Sequence, residues 1–264
     1  MPWHHPGVLL AHLSDLHITA PGRTLQHGID TAPLVAAAVA HLGRLDPAPD
    51  AVLLSGDLVD EGTVAEYERL RDLLAPVEWP LVLMPGNHDD VAVLTSVFGE
   101  QPTSMDLGHG RLLTLDSTRP GEPGGTLDDE QLVWLDRELA ACVGRTTVVA
   151  LHHPPFPTGI GHMDAMGLEP GAAQRLGAVV RRHSHVVRVL CGHVHRLTLR
   201  RWHGTVAMTV PSVAHQVALD LRPGGPPAIT REPPAYALHV DVPGEGLVTH
   251  LAFPGSDDEP RVLG

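Results

Sequence analysis

Short apolar runs alternate along this chain with longer segments in which apolar residues recur at helical spacing. The apolar runs have strand length and lie at 8–13, 51–54, 80–84, 146–151 and 186–190. The segments with helical spacing lie at 31–45, 63–74, 126–139 and 170–183. Such alternation of strand and helix predicts an α/β fold in which helices cover a sheet.

The residues that directly follow the apolar runs are of the types that bind metals or exchange protons. In chain order, the runs lead into Asp15 and His17, then Asp57, then Asn87, His88 and Asp89, then His152, and finally His193 and His195. Ligands of open α/β sheets bind at the carboxyl ends of the strands. We therefore expect these five clusters to converge on one site, although they are far apart in sequence.

The spacing within the clusters predicts how they hold metal ions. Asp15 and His17 are two residues apart, as are His193 and His195. This spacing places both side chains of a pair on one side of an extended chain. Asp57 is the natural bridging ligand, because the two oxygens of a carboxylate can bind two cations at once. Nitrogen and oxygen donors without cysteine suit Mn, Fe, Zn or Co better than Ca or Mg, and they argue against a structural zinc site.

In chain order, the clusters form the motifs D-x-H, G-D, G-N-H-D, H and G-H-x-H, which resemble the signature of calcineurin-like metallophosphoesterases. The motifs run from Asp15 to His195, and the resemblance extends to about Leu221. It implies a four-layer αββα sandwich of two mixed β-sheets flanked by helices. A single domain would span 1–264, with an acidic tail at about 254–264. The segments 205–210 and 236–242 would be strands of the second sheet.

The same resemblance assigns a role to each residue of the motifs. It implies one metal held by Asp15, His17, Asp57 and His195, and another held by Asp57, Asn87, His152 and His193. His88 matches the family's catalytic histidine, which contacts the phosphate and protonates the leaving group, and Asp89 would orient it. Two divalent cations, two carboxylates and a bridging hydroxide leave a charge of about +1. This charge suits one phosphodiester anion, which the hydroxide would attack.

The segment after the fourth apolar run bears on the substrate. Residues 152–169 are rich in turn formers, begin at a predicted metal ligand and are expected to line the pocket. This segment and residues 210–216 resemble the branch of class III cyclic-nucleotide phosphodiesterases and bacterial glycerophosphodiesterases. In that branch a histidine at the position of His215 lies near the substrate phosphate. His215 therefore joins Asn87 and His88 as a candidate substrate contact, with a structural role as the alternative.

The branch predicts a small phosphodiester as substrate, with 3′,5′-cyclic nucleotides such as cAMP first. Glycerophosphodiesters, or a broad range of phosphoesters, are the alternative. A nuclease of the same family would carry a basic or aromatic surface that tracks a strand. The formal charge of −13, the absence of lysine and an aromatic share of only 3% disfavour long nucleic acids as partners. A non-catalytic scaffold would have lost a ligand or His88, and none is missing.

Composition also predicts where the protein works. No apolar run approaches the ~20 residues of a membrane span, and no leader pattern is seen at the N-terminus, so we expect a cytosolic protein and no membrane partner. Only two cysteines, Cys142 and Cys191, are present, which favours free, buried thiols over a disulfide framework. A homodimer is an open alternative, because dimers are common in the branch.

Overall fold

The computed structural model describes residues 7–108, 110–242 and 244–255, so most of the predicted acidic tail, 256–264, lies outside the described residues. Thirteen strands occur in the described part of the chain: β1 (Leu9–Leu13), β2 (Ala51–Ser55), β3 (Leu81–Met84), β4 (Ser104–Leu107), β5 (Gly110–Thr114), β6 (Thr146–Ala150), β7 (Val186–Cys191), β8 (Thr198–Trp202), β9 (Thr205–Thr209), β10 (Gln216–Val217), β11 (Ile229–Thr230), β12 (Tyr236–Val242) and β13 (Gly246–Ala252). Six α-helices accompany them: α1 (Ala32–Leu42), α2 (Val64–Leu74), α3 (Val91–Phe98), α4 (Asp129–Ala141), α5 (Gly161–Asp164) and α6 (Pro170–Arg181). None of these helices is long and apolar enough to cross a membrane.

Two mixed sheets contain all of these strands except β10 and β11, which pair with each other. The first sheet has the order β13-β12-β1-β2-β3. In it β1, β2 and β3 run parallel, and β12 is antiparallel to both of its neighbours. The second sheet has the order β4-β5-β6-β7-β9-β8. Its four central strands are parallel, and the outer strands β4 and β8 are antiparallel to the strands beside them.

Alternate side chains of the strands pack the two sheets face to face. Leu10 and Leu53 of the first sheet share one core cluster with Leu190 of the second sheet and with apolar residues of α4 and α6. Ala11, which follows Leu10 in β1, belongs instead to the cluster built with α1, α2 and α3. This period of two gives four layers, helix, sheet, sheet and helix, and confirms the predicted αββα sandwich. Both cysteines are free and buried, as predicted.

Helix α4 begins later than its sequence pattern predicts. The carboxylate of Asp128 accepts a hydrogen bond of 2.7 Å from the backbone amide of Gln131, which makes Asp128 the N-cap. Thr126, where the prediction began, instead donates its hydroxyl to Glu169 at 3.0 Å. The helix therefore starts where an oxygen can satisfy the free amides of its first turn.

Sheet membership corrects the prediction in two respects. The segment 236–242 is β12, which lies in the first sheet with Leu10 opposite His239, so its assignment to the second sheet was wrong. In contrast, β9 does lie in the second sheet, beside β7. An apolar run shows that a strand is buried but not which strand it pairs with. In the fold, β12 pairs with the free edge of β1 and satisfies its backbone hydrogen-bonding groups. The predicted ligand clusters also follow strands of both sheets, β1, β2 and β3 in the first and β6 and β7 in the second, rather than of one sheet.

Candidate metal centre

The ends of β1, β2 and β3 meet the ends of β6 and β7 at one edge of the sandwich, and all seven predicted metal ligands lie there. Six of them are buried: Asp15, His17, Asp57, His152, His193 and His195. The seventh, Asn87, is half-buried, and the predicted catalytic residue His88 is exposed beside it. The structure thus brings together clusters that are spread over most of the chain.

Most of these ligands lie just beyond the strands, in backbone of left-handed conformation. The φ angle is 54° at Asp15, 44° at His17, 48° at Asp57, 69° at His193 and 52° at His195. The spacing of two had predicted an extended chain at each pair. The paired ligands instead lie in turns. They still converge, because the turn after each strand, rather than the pleat of the strand, brings both side chains of a pair inward.

The first predicted ligand group has the geometry of a cation site. Ligand atoms of Asp15, His17, Asp57 and His195 all lie within 4.8 Å of one another. Nε2 of His195 is 3.5 Å from Oδ1 of Asp15, and Nε2 of His17 is 3.7 Å from Oδ2 of Asp57. Two carboxylates and two imidazoles at these distances can surround one metal ion.

The second predicted ligand group adjoins the first at Asp57. Nε2 of His152 is 3.4 Å from Oδ2 of Asp57, the same oxygen that faces His17. Nδ1 of His193 is 3.1 Å from Oδ1 of Asn87. Asp57 therefore stands between the two groups, which is where a bridging carboxylate has to lie.

His153 lies beside the second group but has no free nitrogen to offer. Its Nδ1 is 2.9 Å from the hydroxyl of Ser117, and its Nε2 is 3.2 Å from the carbonyl of Pro123. Burial lowers its pKa to about 3, so the ring is neutral. His153 is therefore positioned to support the neighbouring His152 and His193 rather than to bind a cation.

Two imidazoles from the second sheet present Nε2 to the centre, because their Nδ1 atoms are already bonded. Nδ1–H of His152 donates to the carbonyl of Ser55 at 2.7 Å. Nδ1–H of His195 donates to the carbonyl of His215 at 2.9 Å. A carbonyl can only accept, so each bond fixes the tautomer whose Nε2 carries a lone pair. Histidines that bind metals in proteins are held in this way.

The residues present fit a metal centre, because several of their polar atoms are buried and unsatisfied. Within the described chain, no hydrogen-bond partner is found for Asp15 Oδ2, His152 Nε2 and His193 Nε2. Buried polar atoms normally have a hydrogen-bond partner, and one without a partner lowers the stability of the fold. Divalent cations held at this edge would satisfy atoms of this kind.

The charges of the cluster attract positive charge. Burial alone would lower the pKa of His152, yet attraction to the carboxylate of Asp57 raises it to about 9. Burial alone would likewise raise the pKa of Asp57, but His152 and then His17 hold it well below its usual range. Burial raises the pKa of Asp15 to about 6. Two carboxylates in one buried site thus favour protonation of nearby imidazoles. Divalent cations would neutralise the same negative charge.

Two glycines allow the ligand loops to approach one another closely. A Cβ at Gly86 would collide with the backbone nitrogen and carboxylate of Asp57, and a Cβ at Gly192 would collide with the hydroxyl of Ser14. Neither glycine has a positive φ. Both are therefore required for space rather than for an unusual turn conformation.

The ring of His88 is positioned by Asp60, a residue that the sequence reasoning missed. Nδ1–H of His88 donates to the backbone carbonyl of Asp60 at 2.8 Å, and a carboxylate oxygen of Asp60 lies 3.7 Å from the same nitrogen. That oxygen is also 3.5 Å from Nδ1 of His17. With Nδ1 fixed, Nε2 of His88 is left to exchange a proton. The available signal was a second carboxylate three residues after Asp57.

Asp89 is placed differently from the prediction that it orients His88. Its carboxylate accepts hydrogen bonds from the hydroxyl of Tyr67 and from the backbone amides of Leu58, Val59 and Gly86. Among the described residues, no hydrogen bond or ion pair joins Asp89 to the His88 ring. Asp89 therefore ties the loop after β3 to the loop after β2, while Asp60 contacts the ring.

A cavity of about 520 Å³ opens onto the ligand cluster. One side carries apolar residues, including Met163 and Met166 from the segment 152–169 and Ile229 of β11. His215 lines the cavity next to the cluster, with its ring centroid 4.6 Å from that of His195. The segment 152–169 thus lines the pocket as expected, and His215 lies where a substrate phosphate could reach it.

Fold and ligand geometry together agree with a known protein family. A model of the calcineurin-like phosphoesterase family matches residues 8–197, which include all seven predicted metal ligands. The chain belongs to this family. It is a hydrolase of this family, with buried His/Asp groups that could hold metal ions.

Individual relatives hydrolyse different diesters. The glycerophosphodiester phosphodiesterase GpdQ of Enterobacter lignolyticus is 37% identical over 272 residues, which cover 96% of this chain and 95% of that protein. A cAMP/cGMP dual specificity phosphodiesterase of Mycobacterium tuberculosis is 32% identical over 231 residues, which cover 83% of this chain and 72% of that protein. Among solved structures, a dimetal phosphatase from Danio rerio superposes with a TM-score of 0.68 at 15% identity, covering 94% of this chain and 99% of that one. The last likeness supports the fold alone.

Proposed function

We propose that this enzyme hydrolyses small phosphodiesters at two metal ions, using the ligand groups that share Asp57. The observation that carries the proposal is the set of buried carboxylate and imidazole atoms that lack hydrogen-bond partners within the described chain and gather around Asp57. When bound, the ions supply Lewis acidity to the phosphoryl oxygens and lower the pKa of the attacking water. The mixed nitrogen and oxygen donors favour Mn, Fe, Zn or Co.

The residues beside the cluster handle the leaving group. Hydrolysis of an alkyl diester expels an alkoxide, which needs a proton. His88 is exposed and has Nδ1 bonded to the carbonyl of Asp60, so its Nε2 can deliver that proton. The carboxylate of Asp60 lies 3.7 Å from the same Nδ1 and helps to hold the ring in place. Asn87 and His215, which line the same cavity, are placed to contact the phosphate.

For the substrate we propose glycerophosphodiesters first. The alignment with GpdQ of Enterobacter lignolyticus covers 96% of the chain. A match of that extent takes in the segment that carries Val217 and Ile229, which form part of the cavity wall. The alignment therefore spans the segment that forms this wall as well as the metal ligands, which supports a glycerophosphodiester as the substrate. This order reverses the one that the sequence motifs alone suggested.

Cyclic nucleotides are the second candidate. The cavity of about 520 Å³ is within the range of small-molecule sites, and its apolar residues Leu25, Met163 and Met166 suit the face of a nucleobase. The identity of 32% with a cAMP/cGMP phosphodiesterase also supports a cyclic nucleotide as substrate. Both candidates use the same metal cluster and differ in what the cavity holds.

A substrate panel tests the proposal. The purified protein is stripped with a chelator, reloaded with Mn²⁺, Fe²⁺, Zn²⁺ or Co²⁺, and assayed with sn-glycero-3-phosphoethanolamine, cAMP and bis(p-nitrophenyl) phosphate. We expect activity only after reloading, and kcat/KM for the glycerophosphodiester about tenfold or more above that for cAMP. The opposite ratio would make cyclic nucleotides the substrate. Full activity in the chelated protein would exclude the metal mechanism.

A further inference from the structure

A second cavity, of about 460 Å³, lies on the other side of His88 from the main one. The two cavities share only Asn87 and His88 among their lining residues. The main cavity contains the ligand imidazoles of His17, His193 and His195. The second cavity contains none of them. His88 therefore stands at the boundary between a cavity that faces the ligand imidazoles and a cavity that reaches the predicted ligand set only through Asn87.

The second cavity is formed by the start of α3 and the loop after β5. Val91 and Ala92 of α3 form one side, and Thr118, Arg119 and Gly121 form another. Arg119 is held by Glu122, with two contacts of 2.9 Å between guanidinium and carboxylate. The loop is also fixed through Thr118, whose backbone amide and hydroxyl bond to Asp116 at 2.8 and 2.7 Å. The cavity is thus a polar space with a defined wall.

A phosphodiester has two ester arms, and hydrolysis breaks the bond to only one of them. The arm that leaves must lie next to the group that protonates it. Because His88 is the proton donor of the proposed function, the arm beside His88 and away from the metal cluster is the one that departs. We infer that the second cavity is the subsite for the leaving alcohol, and that the main cavity holds the arm that stays on the phosphate. This inference rests on the proposed function.

The lining indicates which alcohols fit. Glu61 and Asp90 bring carboxylates to this cavity, and the charge of Arg119 is offset by Glu122. A second phosphate or carboxylate on the leaving arm would be repelled by this lining. The subsite therefore takes a small neutral or cationic alcohol.

Filling each cavity separately tests the assignment. Ala92→Trp places bulk in the second cavity, and Val91→Trp is a second such variant; both positions are exposed on α3. Ile229→Trp places bulk in the main cavity. Ser96→Trp is the matched control, because Ser96 is exposed on the same helix but lines neither cavity. The substrates are methyl p-nitrophenyl phosphate and bis(p-nitrophenyl) phosphate, which release the same nitrophenolate but retain a small or a large arm.

We expect Ala92→Trp and Val91→Trp to lower kcat/KM about tenfold or more for both substrates, mainly through KM, relative to Ser96→Trp. Ile229→Trp should affect only the substrate that retains the large arm. Metal content and melting temperature should match those of the control. Variants at 91 and 92 that behave like Ser96→Trp would overturn the inference, as would a loss confined to bis(p-nitrophenyl) phosphate, which would make the second cavity the site of the retained arm. If the metal-loaded wild type hydrolyses neither diester, the proposed function itself fails and the subsite falls with it.

Discussion

The two sheets contribute different chemistry to the metal centre. The loops after β1, β2 and β3 of the first sheet supply both carboxylates, Asp15 and Asp57, together with the amide of Asn87 and the proposed proton donor His88. The loops after β6 and β7 of the second sheet supply only imidazoles. Two of these, His152 and His195, have their Nδ1–H groups fixed on backbone carbonyls. The first sheet thus provides the negative charge and the proposed acid, and the second provides imidazoles, two of them held in a fixed orientation.

This difference shows why both sheets are needed for a working site. Carboxylates alone would repel one another in a buried cluster, and imidazoles alone would carry no charge to offset two cations. Only the packed sandwich places Oδ2 of Asp57 near His17 of its own sheet and His152 of the other. Loss of a ligand should therefore have different consequences in the two sheets.

The largest expected effect follows from removing the shared carboxylate. Asp57→Asn keeps the shape of the side chain but removes the charge between the two ligand groups, so both metals should be lost and kcat/KM should fall by ~10³ or more. His193→Ala, in the second sheet, should retain one metal. Metal analysis after dialysis, together with diesterase rates, measures both. Equal metal loss in the two variants would contradict the division of roles between the sheets.

The next effect separates proton donation from metal binding within the first sheet. His88→Ala should retain both metals and slow the hydrolysis of alkyl diesters by ~10²–10⁴. Aryl diesters should lose less, because an aryloxide leaves without a proton. Rates on the two substrate types, with metal content measured in parallel, give the result. A variant that loses its metals, or that slows both types equally, would show that His88 is not the acid.

A smaller pair of effects distinguishes the two aspartates near His88. Asp60→Asn should slow alkyl diesters by about tenfold and move the alkaline limb of the pH–rate profile to lower pH, because the proposed acid loses a negatively charged neighbour. Its melting temperature should change little. Asp89→Asn should instead lower the free energy of unfolding by about 1–3 kcal/mol, because a carboxylate that accepts several hydrogen bonds is replaced. If Asp89→Asn alters the pH profile and Asp60→Asn does not, the assignments are reversed.

The smallest expected effect concerns the interior of the first sheet, away from the cluster. Burial lowers the pKa of His12 to about 3 and that of His239 well below its usual value of 6.5. Below pH 6.5 the unfolded chain binds protons that the folded chain does not, so stability should fall as the pH falls toward about 3. The slope is ~1.4 kcal/mol per pH unit for each such histidine.

The variant His12→Asn isolates this contribution. It should be less stable than the wild type at pH 7 but lose stability less steeply between pH 6 and 4.5. Urea unfolding at matched pH and metal concentration measures the slopes. Identical slopes for the two proteins would show that His12 does not contribute to the acid sensitivity.

Local patterns predicted the strands, the helices and the ligand cluster, and the family resemblance supplied the four layers. Apolar runs that end in Asp57 or His152 define strands and ligands together, whatever the wider topology. Pairing between distant segments left no such trace, which is why β12 was assigned to the wrong sheet. Asp60 was missed because a position three residues after Asp57 is too weak a signal to single out one carboxylate among the 31 acidic residues of the chain. Its role appears only when the loop after β2 lies against His88.

The left-handed backbone at the ligands lowers the stability of the fold at the positions where the proposed activity needs a ligand. Backbone strain at such φ angles lowers the stability of the fold by about 1–3 kcal/mol for each residue. Some of the buried ligands also carry polar atoms that lack a hydrogen-bond partner within the described chain. Glycine at Asp15 or His195 would relieve this strain and would therefore favour the metal-free fold while removing a ligand. The centre is thus a place where the sequence that folds best and the sequence that works best are different. Selection for thermal stability alone would be expected to erode this edge of the sandwich first.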